Sequence, residues 1–469
     1  MHELTALSAS HLVKLMRARE VSPVEVMAAH LSRADELNPQ LNAIVTFAPD
    51  ALERARAAEQ ALLRGGDLPA LCGLPLTIKD TMATRGLRTT SGSRLRADCV
   101  PERDAPAVAR LRHAGAIIFG KTNVCELALD YSSDNPIFGR TNNPHDLART
   151  PGGSSGGAAA AISACLSPAD VGSDLAGSIR IPAHFCGITG LLPTIGRVPN
   201  TGHFPPPEGP FALHETFGPM ARTVADLELL YAVLADLPTH ILAPPELHDY
   251  RVAWYTDDGH APVTSETRAA VEAAARALGA AGLVPVEICP PGVGRAAALW
   301  LELFARAVQR QMCALHAGRE DWAGPSARAS IRRGADAPAQ TLDDYFGAWF
   351  ERDQLRAALL AWMETTPLLV APVGAVPAFT HAARKVSVAG QELSLWRAFS
   401  YAQAFNVLGL PAAVVPAGRA AEGLPIGVQI VGRPHREREV LAAARIVETA
   451  LGGWQVPPLV LSTRAENPL

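Results

Sequence analysis

Residues 152–183 read GGSSGGAAAAISACLSPADVGSDLAGSIRIPA. Gly156–Leu166 is alanine-rich and predicts a helix, and Ala169–Gly172 predicts a strand. A glycine-serine turn stands before the helix and a second one follows the strand. Such turns free backbone N–H groups and let the chain approach a ligand closely. Upstream, Gly73–Ile78 predicts a short strand running into Lys79-Asp80, residues 104–114 a helix and Ala116–Phe119 a buried strand. Strands alternating with helices imply an α/β domain with a largely covered sheet.

Further out the same alternation continues. Residues 7–37 predict two amphipathic helices, the second opened by Ser22-Pro23-Val24-Glu25 with a cap, a proline in the first turn and an acid. Residues 50–64, 222–235 and 264–281 predict helices, and 292–365 are mostly helical in pattern. Strand-like runs return at Leu368–Ala371, Ala412–Val415 and Ile426–Val431, followed by a helix from 438. The pattern breaks at 198–217, VPNTGHFPPPEGPFALHETF, which holds five prolines. Long loops of this kind are often functional, and this one is expected to act as a lid, with Phe204 or Phe211 at the entrance. No repeat or linker divides the chain, so a single domain over 1–469 is expected, with a candidate helical excursion at about 240–365.

Composition excludes several classes. The 469 residues are 48% hydrophobic and carry a net charge of −4, which fits neither a disordered chain nor a general nucleic-acid binder. Seven cysteines without a CxxC pair suit a reducing compartment better than a disulfide framework. No apolar signal core and no run of about 18 apolar residues is present. A cytoplasmic protein without membrane or nucleic-acid partners is therefore expected, as a monomer or homodimer. Only four of the 42 basic side chains are lysine: Lys14, Lys79, Lys121 and Lys385. Where arginine is the default cation, a retained lysine points to a task arginine does not perform, such as deprotonation.

Two motif matches mislead. Gly115–Thr122 fits the phosphate-loop pattern GxxxxGK[ST], but its interior, Ala-Ile-Ile-Phe, has the character of a strand rather than a flexible cradle. Gly152–Gly157 contains GxSxG, yet loop residues precede it where a nucleophile elbow needs a strand. The histidines form no HExxH or paired cluster, and no metal or cofactor is expected. His184 and His203 stand near the informative segments and are expected to be structural.

Taken together, Gly73–Asp80, Gly152–Gly157 and Gly172–Ala183 resemble the amidase signature family of hydrolases. The spacings agree: Lys79 to Ser154 is 75 residues and Ser154 to Ser178 is 24. Further landmarks of that family appear at Gly120–Asn123, Asn135–Gly139, Cys186-Gly187, Gly218–Val224, Gly409–Ala412 and Gly423–Gln429. The resemblance covers most of the chain, most loosely at 240–365. It implies an α/β fold with a central mixed β-sheet covered by α-helices on both faces.

It also implies a Ser-Ser-Lys triad, with Ser178 as nucleophile, Ser154 as relay behind a cis Gly153–Ser154 peptide, and Lys79 as base. The chemistry is sound: a serine needs a base to attack a carbonyl, and a lysine desolvated beside Leu76 and Ile78 can become neutral. Backbone amides of Leu175, Ala176, Gly177 and Ser178 are expected to form the oxyanion hole, with Ala176 standing where many members carry glycine. Asp174 and Arg180 are expected to hold this turn. Ser155 serves either as a hydrogen-bonding partner in the site or as a helix cap. Ala128, Leu129, Tyr131, Phe204 and Phe399 are the candidate substrate contacts.

The resemblance thus implies an amidohydrolase acting on small-molecule amides, with aryl or hydrophobic amides favoured and esters and carbamates as further substrates. Two alternatives stand beside it. One is the glutamine-hydrolysing component of a tRNA-dependent amidotransferase, which places an acid near the position of Phe399. The other is a non-catalytic binding protein on the same fold.

Overall fold

A strand that is apolar on both faces needs cover on both sides, and Ala412–Val415 is such a strand. The computed structural model describes residues 2–238, 245–336 and 339–466. The strands are β1 (Ile44–Phe47), β2 (Pro75–Lys79), β3 (Ile117–Thr122), β4 (Ala169–Asp174), β5 (Thr189–Leu192), β6 (Thr216–Ala221), β7 (Arg251–Trp254), β8 (Val284–Glu287), β9 (Leu368–Pro372), β10 (Lys385–Val388), β11 (Gln391–Ser394), β12 (Ala412–Arg419) and β13 (Pro425–Gly432). Eight of them form one sheet in the order β4-β6-β5-β12-β13-β9-β7-β8. Its pairs are antiparallel from β4 through β9 and parallel at β9–β7–β8. The sheet is mixed.

The two faces of β12 meet different cores. Ala413 and Val415 pack with Val440, Leu441 and Ala444 of helix Glu437–Leu451 and with Val271 of helix Ser265–Ala280. Ala412 and Val414 share the other core with Phe185 of helix Arg180–Cys186 and Phe405 of helix Ser400–Leu408. In β9, Leu368 and Val370 belong to the first core, Leu369 and Ala371 to the second. Alternation by two with apolar residues on both faces is the signature of a doubly covered sheet. Among the described residues no helix is long and apolar enough to cross a membrane.

A second, three-stranded sheet, β1-β3-β2, carries Lys79. It meets the large sheet at β4, where Thr122 Oγ1 donates to Asp170 Oδ2 at 3.0 Å. Most of the segment Gly115–Thr122 is strand β3 (Ile117–Thr122), with Lys121 buried inside it and donating to Thr84 Oγ1 at 2.7 Å. A phosphate cradle is excluded there.

The stretch at 240–365 is not one helical excursion. Its residues 240–244 and 337–338 lie outside the described residues. Its β7 and β8 complete the edge of the large sheet, and only the helices from Val293 to Trp362 form an added layer. Short strands such as β5 and β7 offer four residues each, too few for periodicity to mark.

Candidate active site

Lys79 is the last residue of β2, a strand buried along its whole length. Its ammonium has no access to solvent and donates to Ser154 Oγ at 2.6 Å and Ser173 Oγ at 2.9 Å. Burial pulls its pKa well below the ordinary lysine value, and Cys125, Glu215, Asp174 and Asp170 pull partly back. Asp80 does not pair with it. That carboxylate instead accepts from Thr90 N at 3.0 Å and Thr90 Oγ1 at 2.6 Å.

Ser154 lies in the turn before helix Gly156–Ser163, and the Gly153–Ser154 peptide is cis. The turn is pressed against its neighbours. A Cβ on Gly153 meets Asp130 O at 2.5 Å, and one on Gly157 meets Asn123 N at 2.4 Å, so neither position tolerates a side chain. Ser133 Oγ clamps the turn, donating to Gly152 O and accepting from Gly156 N, both at 3.0 Å. Ser155 makes no side-chain cap for the helix. Its N–H donates to Ser178 O at 3.2 Å, which joins the two turns.

Ser178 stands in the turn between β4 and helix Arg180–Cys186 and is 9% exposed. Asp174 organises that turn. Its carboxylate accepts from Gly177 N at 2.8 Å, Ile179 N at 3.1 Å, Asn406 Nδ2 at 2.9 Å and the Arg180 guanidinium at 3.1 Å. Arg180 also donates to Asn406 Oδ1 at 2.6 Å and Gln429 Oε1 at 2.9 Å. Burial pushes the Asp174 carboxyl up, and Arg180 with these donors overrides it, holding the group at about 2. The pair is fully buried, with its lone pairs and protons engaged, which is the condition under which a buried ion pair is tolerated.

One expected donor is taken up by this network. The Gly177 N–H points to Asp174 Oδ1, so it does not face a substrate. Among the described residues no protein acceptor engages the amides of Leu175, Ala176 and Ser178.

Above the serines opens a cavity of about 1520 Å³, lined by Ser154, Ser173, Ser178, Leu175 and Ala176 at its floor. Ala128, Leu129 and Tyr131 line it as well. Tyr131 donates from its hydroxyl to Ala176 O at 3.0 Å and stacks on Trp396 at 5.8 Å. Trp396 in turn packs on Trp300 at 4.4 Å, and Trp300 Nε1 donates to Leu175 O at 2.8 Å. Three aromatic rings therefore form one wall, tied by hydrogen bonds to the turn that carries Ser178.

Two of the expected contacts are elsewhere. Phe204 does not line the cavity; its ring lies against the Arg96 guanidinium at 4.5 Å. The same loop instead presents His203, Pro205, Pro206, Phe211 and Glu215 to the cavity. Phe399 is fully buried behind Tyr131, packed on it at 5.2 Å and on Phe185 at 5.6 Å. It supports the wall without forming it. His184 is structural, bonded to Val376 O at 3.0 Å and accepting from Gly427 N at 2.7 Å. His203 is not confined to that role: its Nε2 lies 3.1 Å from Ser173 Oγ.

Sequence reasoning missed Ser173, His203, Glu215, Trp300 and Trp396. Ser173 adjoins Asp174, and a strand places it on the side of the sheet that faces β2; that signal was present. Trp300 and Trp396 reach the site from segments with no motif.

A family model described as Amidase matches residues 25–441. The chain belongs to the amidase signature family. Its relatives include the glutamyl-tRNA(Gln) amidotransferase A chain of Moorella thermoacetica, 34% identical over 95% of this chain and 97% of that protein. Indoleacetamide hydrolase of Bradyrhizobium diazoefficiens is 32% identical over 95% of this chain and 86% of its own length. A solved amidase superposes with a TM-score of 0.86 at 28% identity, covering 95% of this chain and 100% of the other. As a member of this family the chain is an enzyme acting on carbon–nitrogen bonds.

Proposed function

We propose that this protein is an amidohydrolase of small-molecule amides whose acyl side is aryl or otherwise hydrophobic. One observation carries the reading: a fully buried lysine contacts Ser154 at 2.6 Å beneath a cavity that Ser178 shares and three aromatic rings wall.

In this mechanism neutral Lys79 takes the proton of Ser154 as Ser154 takes that of Ser178. The Ser178 oxygen forms a bond to the amide carbonyl carbon. The carbonyl oxygen becomes an oxyanion, held by the amides of Leu175, Ala176 and Ser178. The proton returns through Ser154 to the leaving nitrogen, the carbon–nitrogen bond breaks, and an acyl-Ser178 ester remains. Water attacks this ester by the same relay and frees the acid. Esters and aryl carbamates fit the same sequence of bonds. Arginine does not replace Lys79, because it keeps its proton.

Sequence likeness favours a second reading, the glutamine-hydrolysing component of a tRNA-dependent amidotransferase, at 34% identity against 32% for indoleacetamide hydrolase. That reading requires a protein partner. It also expects an acid near position 399, where this chain has a buried phenylalanine.

Hydrolysis of an aliphatic primary amide, a nitroanilide, an aryl carbamate and glutamine separates the two. Turnover of the anilide or carbamate, abolished by Ser178→Ala, supports the amidohydrolase. Turnover of glutamine alone, or none without a partner, supports the amidotransferase component. Binding of the anilide without turnover under any condition supports a non-catalytic protein.

A further inference from the structure

Lys79 has a second polar neighbour besides Ser154. Ser173 Oγ lies 2.9 Å from Nζ, and His203 Nε2 lies 3.1 Å from Ser173 Oγ. The same Nε2 is 3.0 Å from Glu215 Oε1, and the imidazole Nδ1 is 2.9 Å from Pro205 O. Lysine, hydroxyl, imidazole and carboxyl thus form one continuous arm, and both His203 and Glu215 face the cavity.

Hydrogen-bond inventory constrains the arm. Pro205 O only accepts, so Nδ1 carries a hydrogen and Nε2 of a neutral ring only accepts. That single lone pair is within reach of both Ser173 Oγ and Glu215 Oε1, so a bare carboxylate beside it is disfavoured, and the contact calls for a proton on the carboxyl or on the ring. Burial lowers His203 to about 3, with the Lys79 charge adding to this, and pushes Glu215 well above the carboxylate range, against the pull of Lys79. The carboxyl is then the carrier at neutral pH.

The other groups around the arm are accounted for. Asp174 is an anion compensated by Arg180. Asp170 accepts from Thr122 and is pushed by burial to about 7. The Cys125 thiol is raised by burial to about 12 and stays neutral.

We propose that Glu215, acting through His203 and Ser173, is a positioning residue that keeps one exchangeable proton beside Lys79 and so sets the pH at which Lys79 becomes a base. The proposal rests on Lys79 being the base. When Glu215 ionises, its charge favours the ammonium form of Lys79; when it is protonated, the lysine loses its own proton more readily. The two titrate as a pair.

The test is the pH dependence of Ser178 sulfonylation by phenylmethylsulfonyl fluoride, followed by intact mass, in wild type, Glu215→Gln and Glu215→Asp. Removing the anion lowers the lysine pKa, so the acidic limb of Glu215→Gln moves down by about one pH unit. Glu215→Asp keeps the limb within about 0.3 unit of wild type. An unmoved or raised limb in a folded Glu215→Gln protein overturns the proposal, and Glu215→Leu replaces it where the glutamine variant does not fold.

Infrared difference spectra of the wild type between about pH 6 and 9 need neither variant. With Asp170→Asn as control, they show one buried carboxyl losing its proton along the acidic limb, and absence of that band also overturns the proposal. Complete lack of labelling at Ser178 in the wild type contradicts the proposed function instead, and leaves the infrared result to decide the arm.

Discussion

The floor and the roof of the cavity are built on opposite plans. The floor consists of Lys79, the turn at 152–155 and the turn at 174–180, buried except at Leu175, with Lys79, Asp174 and Arg180 fully engaged in hydrogen bonds. The roof is the loop at 198–215 and the helices from Val293 to Trp362, partly exposed and linked by isolated hydrogen bonds such as Gln311 Nε2 to Pro206 O at 2.8 Å. A floor of this kind tolerates little change, because a buried group that loses its partner bears the full desolvation penalty. A partly exposed roof, with polar side chains such as Arg306 and Gln311 reaching water, changes shape at modest cost. The proposed function assigns chemistry to the first and substrate choice to the second.

The largest expected effect breaks the floor chemically. Ser178→Ala and Lys79→Arg each lower kcat on a nitroanilide by about 10³-fold or more, with thermal melting retained for Ser178→Ala. Activity of Lys79→Arg within about tenfold of wild type contradicts the role of Lys79 as base.

Next comes a structural break. Asp174→Asn leaves Arg180 buried without its counter-charge and is expected to cost about 3–5 kcal/mol in urea unfolding. A loss under about 1 kcal/mol shows that Asn406 and Gln429 suffice to hold the guanidinium.

The roof responds differently. Trp396→Ala is expected to raise KM for the aryl substrate about tenfold, by loss of roughly 1.4 kcal/mol of ring contact, while KM for an aliphatic primary amide stays within about twofold. Equal effects on both substrates place Trp396 outside the acyl site.

The smallest effect lies at the seam between the two regions. Trp300→Phe keeps a ring but loses the donor to Leu175 O. The net worth of such a bond is about 1 kcal/mol, so kcat/KM falls by roughly fivefold. A fall in kcat rather than a rise in KM shows that this bond serves the turn bearing Ser178.

How much of the molecule is legible in its sequence follows the same division. The helix at 156–163, strands β3, β4, β9, β12 and β13, and the three segments of the floor stand out by composition, spacing and turn chemistry. Short strands β1, β5, β7 and β8 do not, since four residues leave no period to count. The loop at 198–217 is visible as a break in pattern, but proline content does not state which aromatic faces inward. Phe211 does and Phe204 does not, because Phe204 finds Arg96. The Gly177 amide cannot be assigned without knowing that Asp174 folds back to accept it.

By itself the sequence determined the layered α/β architecture, because double-sided apolar runs demand a covered sheet, and pointed to the family through the resemblance of the segments at 73–80, 152–157 and 172–183. Among its four lysines it singled out Lys79, through the segment Gly73–Asp80 that carries the resemblance. Only the tertiary structure decided what surrounds that lysine. Ser173, the loop residues His203 and Glu215, Trp300 and Trp396 come from four separate segments of the chain, and the long-range packing that brings them around one cavity leaves no local periodicity to read.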